Sequence, residues 1–205
     1  MAKSKLIKYN IKNVKYAVKD ESGVWGNPID LAYANSLSLE ANFSETKFFG
    51  DGEVIAVLTN DKGKTGTLSV INIEHDYEIA CGRMMEIEGG FAEIEQISSV
   101  EHCLYYEVDA KKDGVPITIK TWMFGCITGK ANESYQQTQE DHTVNTYDYP
   151  LTVNGVNLKA STGENDYVDA NGNTIKVPRK FSYPTDQDYA TFGNAVPIPK
   201  AKVEI

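Results

Sequence analysis

The sequence predicts a mainly β protein: a β-sandwich or partly closed barrel with one short flanking α-helix. Three observations carry this. SLSLEANF (36–43) and TGTLSVINIE (65–74) alternate in polarity, and period two puts alternate side chains on a buried and a wet face. Gly/Asp turn signals recur at Gly50-Asp51-Gly52, Asp61–Gly66 and Asp113-Gly114, the chemistry of tight β-hairpins. One segment, HDYEIACGR (75–83), reads as a helix.

The elements follow in order. Residues 5–18 read as a strand with Leu6, Tyr9, Ile11, Val14, Tyr16 and Val18 as apolar positions. Gly23, Gly26 and Pro28 then punctuate a loop. Residues 36–45 form a strand, with Leu37, Leu39, Ala41 and Phe43 on one face and Ser38, Glu40, Asn42 and Ser44 on the other. Gly50-Asp51-Gly52 turns the chain into Val54–Leu58, an apolar run expected to be buried. Asp61–Gly66 is expected to be a second hairpin turn, into a strand over 67–74. In the helix, Asp76 suits the N-cap, Ile79 and Met84 face the sheet, and Gly82 helps end it.

Gly89-Gly90 breaks the next segment, and FAEIEQI (91–97) alternates again. CLYYEVDA (103–110) and PITIKTWMFGC (116–126) form a hairpin around Asp113-Gly114. Residues 131–149 are polar, 151–158 and 174–177 suit further strands, and from Pro178 the chain reads as an extended arm. The expected organisation is a β domain over 1–149, with C-terminal strands and an arm over 150–205 that can belong to the same domain.

A 205-residue chain with 41% hydrophobic residues supports a packed core. No apolar run approaches the 18 or more residues of a membrane span, and the N-terminus lacks the apolar core of a signal peptide. These features predict a protein made in the cytosol. Cys81, Cys103 and Cys126 are odd in number and widely spaced, which argues against a disulfide framework or a metal knuckle and for buried, reduced thiols.

Charge is uneven. Residues 1–19 hold six Lys and no acid, and residues 20–109 hold 18 acids against four bases. An acidic body repels nucleic acid.

Catalytic patterns fail on their chemistry. Gly63-Lys64-Thr65 lacks the Gly-rich cradle and following helix of a phosphate loop. DYVDANGN (166–173), aligned on Gly172 as a calcium loop, puts Tyr167 and Pro178 where carboxylates are needed. His75, His102 and His142 are far apart in sequence, and a Cys–His pair arises only if the fold assembles it. The expectation is no enzyme, no cofactor, no metal and no small-molecule substrate.

An ordered set of segments resembles a known family. IKNVKYAV (11–18) is followed by a Pro28-Ile29 step into Ala34–Leu39, then FFGDGEVI (48–55), GKTGTLSV (63–70) and IEHDYEIACG (73–82). Over roughly residues 5–125 the chain resembles the major tail protein, or tail tube protein, of long-tailed phages of Gram-positive bacteria. The resemblance implies a non-enzymatic virion protein, assembled in the host cytoplasm, that forms stacked hexameric rings around a hollow tube. DNA passes through without specific binding. The implied partners are further copies of the chain and the tape measure, tail tip and tail terminator proteins.

Mapped onto this sequence, the resemblance makes Ser38, Glu40, Asn42, Thr67 and Ser69 candidate lumen residues. It makes the turns carrying Asp51, Glu53, Asp61, Lys62 and Lys64 candidate ring-stacking loops. Lys3, Lys5 and Lys8 become an inter-subunit N-terminal arm. Two other readings stand beside it: a tube subunit of a contractile or secretion apparatus, and a soluble β-sandwich module binding glycans through Trp25, Trp122 and the Tyr-rich 131–149 segment.

Overall fold

A computed structural model of the chain describes residues 5–31, 33–95, 98–133, 135, 145–162 and 165–202. Its strands are β1 (Leu6–Val18), β2 (Ile29–Asp30), β3 (Ala34–Gly50), β4 (Glu53–Val70), β5 (Met84–Ile87), β6 (Gly90–Glu93), β7 (His102–Lys112), β8 (Val115–Thr128), β9 (Tyr147–Val153), β10 (Val156–Asn157), β11 (Lys176–Val177) and β12 (Arg179–Ser182), with helix α1 (His75–Ala80) between β4 and β5. The mainly β expectation with one short helix is met.

One antiparallel sheet runs β2-β1-β7-β8-β9-β4-β3, and β12 also pairs with β8. It curls so that Ile11 of β1 and Leu37 and Leu39 of β3 pack on the same core. No ladder joins β1 to β3 among the described residues. The result is an open, sandwich-like fold rather than a closed barrel.

The core between the layers is built from Val14, Tyr16, Leu68, Val70, Leu104, Met123, Leu151 and Val153. Tyr77 and Cys81 of the α1 region close one end of it. A second cluster lies on the other face of β7 and β8, where Tyr105, Trp122 and Phe124 pack with Phe192. The segment expected as an extended arm therefore folds back. β12 pairs with residues 120–123 of β8, and Trp122 donates its indole N–H to the Phe192 carbonyl at 2.7 Å. A buried indole needs an acceptor, and the returning chain supplies it.

Asp61–Gly66, expected as a hairpin turn, lies inside the 18-residue β4. Ala41 pairs with Lys64 and Phe43 with Asp61, so Lys62 and Gly63 stand opposite Asn42 alone. Gly63 has φ +86°, and Asp61 Oδ1 accepts its N–H at 2.9 Å. An Asp preceding a left-handed Gly serves a β-bulge as well as a turn. Here it bends the strand without reversing it. The expected turn at Gly50–Glu53 is present, with Asp51 at φ +52° and Gly52 at φ +86°.

Candidate assembly surface

β3 and β4 are the longest of the described strands, at 17 and 18 residues. β9 supports β4 only over Lys64–Val70. Beyond the Gly63 bulge the two strands continue alone to the tip, Phe43–Gly50 against Glu53–Asp61. Eight residues at about 3.3 Å each give a projection of roughly 26 Å.

Pairing alternation puts Phe43, Glu45, Lys47, Val57 and Thr59 on one face of this ribbon and Ser44, Thr46, Phe48, Ala56 and Leu58 on the other. Both faces are bare. Phe49 is 67% exposed, Ile55 71% and Leu58 61%, and Phe43, Phe48, Val54 and Val57 are each about half exposed. The run Val54–Leu58, expected in the core, is thus on the surface. The reason is physical. Apolar residues on both strand faces imply cover on both sides, but this chain's own layers end at the bulge. The sequence signal was an apolar run without alternation; what it could not state is which chain covers it.

Two backbone edges are also open among the described residues. β3 pairs only with β4, and β4 has no second neighbour before Lys64. A two-stranded ribbon is marginal in water by itself, and long open edges with apolar side chains are sites of chain association.

Below the bulge the wet face follows the expectation in part. Ser38, Glu40 and Thr67 point away from the core residues Leu37, Leu39 and Leu68, and Ser38 and Glu40 are exposed. Ser69 shares their side but is buried, because its short side chain lies between β3 and β9, paired with Ser36 and Asp148. Asn42 sits at the bulge, half-buried. Ser36, Thr65, Asp148 and Thr152 extend this face by alternation and register, adding hydroxyls and a carboxylate to it.

Asp51 and Glu53 flank the ribbon tip. Asp61, Lys62 and Lys64 lie at its root, within β4 and not in a loop. Lys3 lies outside the described residues. Lys5 and Lys8 do not form a detached arm. The Lys5 N–H donates to Asp113 Oδ1 at 2.7 Å, and Lys8 is paired with Ala110 inside β1.

A buried polar network among the described residues was not legible in the sequence. Arg83 is fully buried, with Nε 2.8 Å from Glu78 Oε2 and Nη2 3.0 Å from Oε1. Its Nη1 donates to the Thr128 carbonyl at 3.0 Å and to Oγ1 at 2.8 Å, and Tyr149 donates to Glu78 Oε1 at 2.6 Å. Burial opposes the Arg83 charge, but the Glu78 carboxylate outweighs it and holds the guanidinium above its ordinary range. The network ties α1 and the residues after it to β8 and β9.

The fold also brings Cys81 to His102, with Sγ 4.0 Å from Nδ1. Nδ1 lies 3.1 Å from the Val100 carbonyl, which can only accept, so Nδ1 carries the proton and Nε2 accepts from Tyr77 at 3.0 Å. Burial pushes His102 down to about 4 and the Cys81 thiol up. A neutral imidazole whose proton is already donated elsewhere does not generate a thiolate. His142 lies outside the described residues.

Trp122 is fully buried and offers no stacking face to a sugar. Asp169 accepts the N–H groups of Asn171 and Asn173, which makes DYVDANGN a closed turn.

What the fold and surface define is a mainly β, sandwich-like protein with a projecting, uncovered β-ribbon. No family model matches the chain, and no curated protein matches it in sequence. Among solved structures it is similar to a chain in the cryo-EM structure of the anti-feeding prophage (AFP) baseplate, 6-fold symmetrised, at 12% identity and a TM-score of 0.39, covering 72% of this chain and 90% of that chain. Function is therefore argued from the surface itself.

Proposed function

We propose that this chain is a structural subunit of a phage-type tail, the tube protein of a non-contractile tail, which assembles with copies of itself into hexameric rings that stack around a DNA-conducting lumen. The observation that carries this reading is the bare ribbon, apolar on both faces and open at both edges. The ordered set of tail-protein-like segments supports it, since FFGDGEVI and GKTGTLSV fall on the ribbon tip and its root. In this reading the face holding Ser38, Glu40 and Thr67 lines the lumen, where phosphates must slide and not bind. The subunit needs no cofactor and catalyses nothing. Its place is the virion tail, after assembly in the host cytoplasm with tape measure, tip and terminator proteins.

The energetics suit a polymer better than a pair. Fully burying an aliphatic or aromatic side chain is worth about 1.5–3 kcal/mol, so covering seven half-exposed ones offers roughly 5–10 kcal/mol. Association costs about 4–15 kcal/mol. One ribbon contact is therefore weak, and rings and stacks that repeat it are stable.

Negative-stain electron microscopy of the purified chain, dilute and concentrated, alone and co-expressed with tail-tip proteins, tests the proposal. Rings with a central hole or hollow tubes are expected. Phe49→Ser/Ile55→Ser should abolish them while leaving the monomer folded. Monomers under every one of these conditions would refute the reading.

A further inference from the structure

The sandwich is closed by α1 at one end and open at the other. The open end is a groove floored by Ile11, Leu37, Leu39 and Val108 and walled by Tyr9 and Phe181. Two cations stand at Phe181: Lys8 Nζ is 5.6 Å from the ring centroid, and Arg179 Cζ is 5.2 Å from it. Neither has a carboxylate partner among the described residues, whereas Lys12, Lys15 and Lys19 of the same strand and its continuation are all ion-paired. The groove also presents main chain. β2 covers β1 only at Lys15 and Tyr16, so among the described residues the outer edge of β1 from Leu6 to Asn13 is open.

The ribbon tip has the complementary features. Phe49, Val54 and Ile55 are exposed apolar groups. Asp51 and Glu53 at the turn have no cationic partner among the described residues. Two unpaired carboxylates and apolar groups on both faces of the tip, Phe49 with Val54 on one and Ile55 beside Gly50 on the other, match two unpaired cations and an apolar groove.

We propose that the groove between β1, β3 and β12 receives the ribbon tip of a second copy of this chain, with Asp51 and Glu53 facing Lys8 and Arg179 and the incoming strand added to the open edge of β1. Strand addition supplies affinity through the main chain and specificity through the pocketed side chains, and the paired charges set the register and reject wrong partners. The proposal rests on the assembly reading only in taking a second copy as the occupant. The contact is head-to-tail, so it propagates.

The test uses two full-length variants, Asp51→Lys/Glu53→Lys at the tip and Lys8→Glu/Arg179→Glu at the groove. All four positions lie on the surface or half-buried at its rim, and thermal melting checks that each variant folds. Sedimentation velocity follows self-association over a concentration series at about 50 mM salt. Each variant alone should associate at least tenfold more weakly than the unaltered chain, because tip and groove then carry like charge. An equimolar mixture should recover association, because every tip then finds a groove of opposite charge.

Variants that associate normally, or a mixture that does not recover, overturn the docking site. If the unaltered chain still forms rings or tubes, the tail reading stands without it. Reversals that change melting but show no concentration dependence mean that the groove takes the chain's own tip, which also overturns the proposal. An unaltered chain that stays monomeric throughout the series overturns it as well, and the co-expression experiment then decides the tail reading separately.

Discussion

Replacing Arg83 by Met removes a fully buried guanidinium and leaves Glu78, itself only 6% exposed, without its counter-ion. The carboxylate then keeps one donor, the Tyr149 hydroxyl at 2.6 Å. Breaking a buried pair from one side costs about 3–5 kcal/mol, because a charge stays behind in a dry site. For a chain of this length each kcal/mol moves the melting temperature by about 2–4 °C, so the fall should be roughly 6–20 °C. Glu78→Leu should cost a similar amount by stranding Arg83. The double variant Arg83→Met/Glu78→Leu removes both charges, leaving the Tyr149 hydroxyl and the Thr128 carbonyl to find new partners. It should cost about 2 kcal/mol or less, several kcal/mol below the sum of the two single changes. Urea unfolding at pH 7, with m-values confirming that the unfolded state is unchanged, measures all three. Single variants costing under about 1 kcal/mol, or a double variant matching the sum, would show that the network is not the clamp described.

Three further outcomes are expected. His102 takes up a proton at about 4 in the folded chain and near 6.5 in the unfolded one, so stability present at pH 7 should fall by about 3 kcal/mol as pH drops across that window; His102→Gln should flatten this part of a urea-midpoint profile, and an unchanged profile would reject the assignment. A Cβ on Gly66 would collide with the Ser38 carbonyl across the β3–β4 ladder, so Gly66→Ala should destabilise the chain by about 2 kcal/mol or more, whereas Gly52→Asn at the tip should cost well under that in the same unfolding assay. Cys81, Cys103 and Cys126 are buried, and burial raises all three thiols, so a thiol-specific chromogenic reagent should react slowly with native protein and with three groups after denaturation; rapid native labelling would contradict the core placement.

The parts of this protein legible in its sequence are those determined by neighbouring residues. Alternation at period two in SLSLEANF and TGTLSVINIE marked β3 and β4. Asp51-Gly52 and Asp113-Gly114 marked two real hairpin turns, and HDYEIACGR held the one helix among the described residues. Each signal is local, because strand pleat, left-handed Gly geometry and helix period act within a few positions. Tertiary structure decided the rest. Asp61–Gly66 has the chemistry of a turn, and only the cross-strand partners Ala41, Phe43 and Val153 make it a bulge. Arg83 pairs locally with Glu78, but the Thr128 and Tyr149 contacts that complete its site span 45 and 71 positions. Val54–Leu58 carries a demand for burial written in its composition. Whether the cover comes from the same chain or another depends on where the layers end, and here they end at Gly63, before the ribbon begins.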